Sequence, residues 1–265
     1  MTRPVALITG ASAGLGREFA TQLARDGYDL VLVARDAGRL EELARELNER
    51  FGAKSEVLCA DLAMDDDVTR VVERIDRSPI DLLVNNAGFG TKGSLARASR
   101  DEQEAMLRVH VLATHRLAQA AAQTMVPRHS GAIINVASVA SFLASPGNVN
   151  YNSTKAWQRT YIESLSLELR GTGVYAQALC PGYTHTEFHH RVGVDKKRIP
   201  DWLWLNADRV VADSLAAVRR QTPVVVVPGK RYKLIVLLAR YLPGWIKRLL
   251  FSMRNPPRDS GGRTQ

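Results

Sequence analysis

The segment Thr9-Gly10-Ala11-Ser12-Ala13-Gly14-Leu15-Gly16 constrains this chain more than any other. It closes a short, mainly apolar run, Val5–Thr9, that reads as a buried strand, and it opens a stretch in which Leu15, Phe19 and Leu23 recur at helical spacing. Three glycines in a strand-to-helix turn let the backbone approach another group closely, because no Cβ stands in the way. The helix behind such a turn presents free N–H groups and the positive end of its dipole. A glycine-rich turn also serves tight packing alone. Its position between strand and helix is what points to a bound pyrophosphate.

The same alternation continues along the chain. Leu30–Ala34, Val57–Cys59, Leu82–Asn85, Ile133–Val136 and Val174–Leu179 read as strands separated by helix-length segments, and Val224–Val227 as a last strand. Leu40–Leu47 is helical in period, and Ser99-Arg100-Asp101-Glu102 is a capping-box pattern that opens the helix continuing through Ala105–Ala122. Strands that are apolar throughout and alternate with helices require a parallel sheet covered on both faces. The expected fold is therefore α/β: a Rossmann-type, doubly wound parallel sheet in three layers. Neither an internal repeat nor an interdomain linker interrupts it.

Two cysteines, Cys59 and Cys180, cannot build a disulfide framework, which makes the cytoplasm the expected compartment. No charged and then apolar opening matches a secretory signal. The net charge of +9 is unevenly placed. From Pro228 onward there are nine Lys/Arg and one acid, Asp259, while the rest of the chain is nearly neutral. The basicity thus belongs to one segment and not to a nucleic-acid-reading domain, so no nucleic-acid partner is expected. The longest purely apolar run there is Leu234–Ala239, well short of the ~20 residues a membrane span needs.

At the end of the second strand stands Arg35. A carboxylate at this place holds a ribose 2′-hydroxyl, whereas an arginine accommodates a 2′-phosphate, so NADP(H) is the expected cofactor. Asp36 follows directly and could neutralise the guanidinium. Asp61, with Leu62 beside it, is placed to meet an adenine, and the small residues of Asn85-Asn86-Ala87-Gly88 would let a ribose approach. Tyr151 and Lys155 are four apart and share a helix face, with Ser138 thirteen residues before the tyrosine at a strand end. A free tyrosine, with a pKa of ~10, is a poor base at neutral pH. A nearby ammonium and an oxidised nicotinamide both favour its phenolate, and such a tyrosine can exchange a proton while hydride moves. By itself a YxxxK pair is common on amphipathic helices.

The glycine turn, the NNAG turn, the serine, YxxxK and Pro181-Gly182 occur in order at matching strand ends. In this the chain resembles the short-chain dehydrogenase/reductase family, in its single-domain branch with TGxxxGxG. The resemblance covers residues 3 to about 229. It implies that Ser138 positions the reacting oxygen, that Tyr151 is the acid/base, and that Lys155 lowers the tyrosine pKa and binds the nicotinamide ribose. It also implies that Thr9, Gly10, Ser12, Gly14, Leu15, Gly16, Arg35, Asp61, Leu62, Asn86, Ala87 and Gly88 contact the dinucleotide, and that Pro181, Gly182, Thr184 and Thr186 line its nicotinamide. The extended branch, which includes epimerases, has another glycine spacing. One position departs from the pattern. Where the family has an asparagine that holds a water near the lysine, this chain has His110. Imidazole can hold the same water and could titrate near neutrality, which makes His110 a candidate catalytic group.

On this reading residues 1–229 are the NADP-binding and catalytic domain, 230–252 a basic amphipathic helical tail broken at Pro243-Gly244, and 253–265 disordered. Phe89, Phe142-Leu143, Phe188, Ile199, Trp202, Trp204 and Leu205 are expected around the substrate, and no Lys or Arg lies between Ser138 and Tyr151. A small apolar ketone, aldehyde or alcohol suits such a lining better than a sugar phosphate. His185, His189 and His190 have no matching ligand set, so no metal is expected. The tail can serve as a lid, as a subunit contact or as a peripheral membrane contact, and the family resemblance implies a homodimer or homotetramer. The competing reading is a non-catalytic NADP(H)-binding regulator or scaffold.

Overall fold

A computed structural model describes residues 3–91, 93–187 and 199–241. Seven parallel strands form one sheet in the order β3-β2-β1-β4-β5-β6-β7. They are β1 (Val5–Thr9), β2 (Asp29–Ala34), β3 (Ser55–Cys59), β4 (Leu82–Asn85), β5 (Gly131–Val136), β6 (Val174–Leu179) and β7 (Val225–Val226). The helices are α1 (Gly14–Arg25), α2 (Ala37–Phe51), α3 (Asp65–Arg77), α4 (Arg100–Leu107), α5 (Thr114–Met125), α6 (Val149–Glu168), α7 (Ala207–Arg220) and α8 (Lys230–Tyr241).

Side chains of successive strand residues point to opposite faces, so each strand feeds two cores. From β1, Leu7 joins Val68, Val71 and Ile75 of α3, Leu117 and Ala121 of α5 and Ile162 of α6. Its neighbours Ala6 and Ile8 join Phe19 and Leu23 of α1, Leu40 and Leu43 of α2 and Val210 and Leu215 of α7. This is the expected three-layer, doubly wound sheet. Each fully buried Leu, Ile or Phe contributes roughly 1.5–3 kcal/mol. The edge strand β3 is only half-buried, which is why its polar first residues, Ser55 and Glu56, escape a purely apolar pattern.

The strand order reverses between β1 and β4, and the crevice at their carboxyl ends is where such sheets bind ligands. Two helix starts there differ in a telling way. Ser99 caps α4 through its hydroxyl, which accepts from the Glu102 N–H, as the capping box predicts. The N-cap of α1 is Ala13, which has no side-chain cap, and its first turn holds no acid. Between α4 and α5 the helix widens into a π turn over Arg108–Ala113 that the apolar spacing does not reveal. Such wide turns often mark functional positions.

Candidate functional site

The glycine turn fits between β1 and the β4 loop because its glycines have no side chains. Gly10 has φ +65°, and a Cβ there would lie 2.9 Å from Asn86 Nδ2. A Cβ on Gly16 would come within 2.2 Å of the Gly10 carbonyl. Thr9 and Asn86 lock the two loops. The Asn86 and Ala87 N–H groups donate to Thr9 Oγ1 at 3.0 and 2.9 Å, and Asn86 Nδ2 donates to the Thr9 carbonyl at 2.8 Å. Their polar groups thus hold the turn in place. Ser12 and Leu15 remain half-buried on the turn and at the helix start, and Leu62 is buried.

Arg35 projects from the end of β2 with its side chain 73% exposed, and its ion-pair partner Asp61 is 3.9 Å away. Asp36 does not neutralise it. That carboxylate caps α2, accepting from the Arg39 N–H at 3.1 Å. Sequence reading missed Arg39, which donates to Glu187 through both terminal guanidinium nitrogens, at 3.2 and 2.6 Å. Thr186 next to it packs on Gly14, 3.3 Å from where a Cβ would sit. The segment after Pro181 therefore crosses the glycine turn. An uncapped helix terminus, a glycine cradle and an exposed guanidinium suit phosphate groups.

A second cluster forms where β5 meets α6. Ser138 follows β5 and caps the short 3-10 turn Val139–Phe142, its Oγ accepting from the Ala140 N–H at 3.1 Å. It also hydrogen-bonds the Tyr151 phenol. Lys155 Nζ lies 5.9 Å from the centroid of the Tyr151 ring. It donates to the Val136 carbonyl at 2.8 Å and to Gln158 Oε1 at 2.9 Å. The Gln158 amide nitrogen donates onward to the His110 carbonyl at 2.9 Å and to Thr114 Oγ1 at 3.2 Å.

Burial dominates the titration of this cluster. It pushes Tyr151 up to about 12, against the pull of the Ser138 bond and with a smaller push from Tyr183. It pushes the Lys155 ammonium down to about 7. The lowering of the tyrosine that was expected from its neighbouring ammonium is therefore absent from the chain by itself. The cation meant to cause it is held out of water and is only partly charged at neutral pH.

His110 is fully buried on the π turn. Its Nε2 accepts from the Phe89 N–H at 3.1 Å, and Nδ1 pairs with Thr154 Oγ1 at 2.9 Å. Burial, and then the Lys155 cation, hold its imidazolium well below the usual histidine range. The expected titration near neutrality is thus corrected: accepting a main-chain N–H requires the neutral ring. His110 connects to Lys155 through its main-chain carbonyl and Gln158 rather than through the imidazole. Gln158, three residues after Lys155, was missed, although its helical spacing places it on the lysine's face.

The cover of the site comes from the C-terminal side. In the 181–186 turn, Thr184 Oγ1 donates to the Gly182 carbonyl at 3.0 Å, and Thr184 pairs in a β-bridge with Leu205. Trp204 is buried and stacks on His185 with ring centroids 4.9 Å apart, whereas Trp202 is exposed. Phe142 packs under the Arg159 guanidinium, 4.6 Å away, and Phe89 meets the edge of His110. Phe188, His189 and His190 lie outside the described residues, as does everything from 242 onward, including Pro243-Gly244.

Helix α8 is the described part of the tail. It packs on the Val139–Phe142 turn, and Tyr232 reaches down to accept from the Tyr183 N–H at 2.9 Å and to donate to the Leu203 carbonyl at 2.7 Å. Leu234, Leu237, Leu238 and Tyr241 stay exposed on α8. No helix among the described residues is long and apolar enough to cross a membrane.

The gluconate 5-dehydrogenase of Gluconobacter oxydans (strain 621H) is 36% identical over 200 residues, which span 75% of this chain and 77% of that protein. A short-chain dehydrogenase from Sphingobium yanoikuyae, solved in complex with NADPH, superposes with a TM-score of 0.82 at 33% identity, covering 99% of this chain and 100% of that one. A bulky-bulky ketone specific alcohol dehydrogenase from Comamonas testosteroni gives a TM-score of 0.78 at 30% identity over 92% of this chain and 96% of that one. The family model described as short chain dehydrogenase matches residues 4–197. By that match over most of its length, this chain belongs to the short chain dehydrogenase family of oxidoreductases.

Proposed function

We propose that this chain is an NADP(H)-dependent oxidoreductase that interconverts apolar ketones or aldehydes and the corresponding alcohols. The observation that carries the reading is the Tyr151 phenol, hydrogen-bonded to Ser138 and with the Lys155 ammonium beside its ring. NADPH supplies the hydride. Ser138 holds the carbonyl oxygen, and Tyr151, protonated at neutral pH, gives its proton to that oxygen as negative charge builds there. Lys155 then stabilises the phenolate left behind. His110 and Thr154 brace this cluster from behind, since the Thr154 hydroxyl bridges the imidazole and the Tyr151 carbonyl.

The uncapped start of α1, with Gly10, Ser12, Gly14, Leu15 and Gly16, holds the pyrophosphate. Arg35 would take the 2′-phosphate, Asp61 and Leu62 would meet the adenine, and Asn86, Ala87 and Gly88 would admit the ribose. Pro181, Gly182, Thr184 and Thr186 would line the nicotinamide. The resemblance to a bulky-bulky ketone specific alcohol dehydrogenase supports the substrate class. Exposed Leu107, Leu112 and Leu167 on α4, the π turn and α6 support pairing of two copies as a dimer, or of two such pairs as a tetramer.

Loss of NADPH absorbance with a panel of bulky apolar ketones tests the reading. Turnover is expected in the wild type and absent in Tyr151→Phe, which still binds NADPH. Full turnover in that variant, or none in the wild type, would overturn the assignment.

A further inference from the structure

Lys155 is buried on every side. Tyr151 approaches it from its own helix, His110 from the π turn, Cys180 from the end of β6, and the Gly88 backbone from the β4 loop, where a Cβ would lie 3.6 Å from Nζ. None of these side chains carries a charge at neutral pH. Tyr151 and Cys180 are each pushed up to about 12 by burial, and the imidazole is neutral. The ammonium is therefore held by neutral oxygens, the Val136 carbonyl and Gln158 Oε1.

Gln158 itself is almost fully buried and has every polar group engaged. Its orientation follows from chemistry. Turning the amide over would aim its N–H groups at the ammonium and its oxygen at the His110 carbonyl, so the three contacts allow one placement. We infer that Gln158 is the positioning residue of Lys155: its amide ties the ammonium to the main chain of the π turn and leaves the lysine one N–H for a ligand. The assignment rests on the oxidoreductase reading for its purpose but not for its geometry. A π turn, an amide and a lysine form one rigid unit, in which a shift of the turn moves the ammonium.

The test uses the full chain with its lysine ε-carbons labelled, titrated by NMR without substrate, in the wild type, Gln158→Glu and Gln158→Met. A carboxylate in direct contact raises the Lys155 midpoint by about one pH unit or more, and the thioether lowers it. In the same proteins kcat falls roughly ten- to hundredfold in Gln158→Met. In Gln158→Glu, which keeps the contact to the ammonium but cannot donate to the His110 carbonyl, the Lys155-dependent limb of the pH profile moves with the NMR midpoint. An unmoved midpoint in Gln158→Glu, or wild-type kcat in Gln158→Met, overturns the inference. If the midpoints move but no protein turns over any ketone, the inference stands and the proposed activity falls. If the wild type turns over and the midpoints stay fixed, the reverse holds.

Discussion

The ring of Tyr232 occupies the space that a side chain on Gly182 would need: a Cβ there would fall 2.0 Å from Tyr232 Cζ. Helix α8 and the turn after β6 are thereby fitted to one another face to face, and the tyrosine hydroxyl fastens the contact at Tyr183 and Leu203.

Removing that hydroxyl in Tyr232→Phe leaves the Tyr183 N–H and one bond to the Leu203 carbonyl unmet, at a cost of roughly 1–3 kcal/mol to the local contact. Amide exchange at Tyr183 should quicken, and KM for bulky ketones should rise more than kcat falls. Unchanged exchange at that amide would show that the helix is fastened by other means. Gly182→Ala should be the harsher change, because the whole ring must move.

Gly88→Ala should damage the other side of the site. The new Cβ would lie 2.7 Å from His110 Nε2. That ring is pinned by Phe89 and Thr154 and cannot swing away. The expected loss is about 1–3 kcal/mol in stability with a marked fall in kcat. Chemical denaturation alongside steady-state rates checks both.

Arg35→Asp should shift cofactor preference towards NADH. A charge-assisted bond to a 2′-phosphate contributes roughly 1.5–3 kcal/mol, or about ten- to hundredfold in affinity. Titrating NADPH and NADH separately by fluorescence should show NADPH weakened by that factor and NADH little changed. An unaltered ratio would remove Arg35 from cofactor selection.

The depressed Lys155 also predicts how stability depends on pH without cofactor. Its folded value of about 7 lies below the ordinary 10.5. Between these values the unfolded chain binds the proton and the folded chain does not, so stability rises with pH across that window and falls as the pH drops toward 7. Above pH 10 the raised Tyr151 works the other way, since only the unfolded phenol ionises readily. Lys155→Met should flatten the rise between about pH 7 and 10 relative to wild type in thermal melts. Parallel curves would contradict the buried, partly neutral lysine.

Much of this architecture is written in local pattern. β1, β4 and β6 run over the same residues as the apolar runs that announce them, because both faces of those strands are covered. β3 starts at Ser55, two residues before its apolar run, since an edge strand tolerates polar residues. The motifs place Ser138, Tyr151 and Lys155 together, since a strand end and one helix face suffice to do so. The π turn stays hidden because widening a helix by one hydrogen-bond step alters no side chain. Tyr232 stays hidden for a different reason: forty-nine residues separate it from Tyr183, and only the folded chain brings them together. Gln158 lies between these cases, visible in spacing but mute about its partner on another helix.

The two cysteines sit in opposite surroundings. Cys59 is exposed at the end of β3, its thiol against the Arg35 carbonyl at 3.2 Å, while Cys180 is buried with its thiol pushed up to about 12. The protein thus comes with a built-in handle for a fluorophore. A maleimide dye should attach once per molecule, one strand away from the Arg35 guanidinium proposed to take the 2′-phosphate, and its brightness could report coenzyme loading without engineering a single codon.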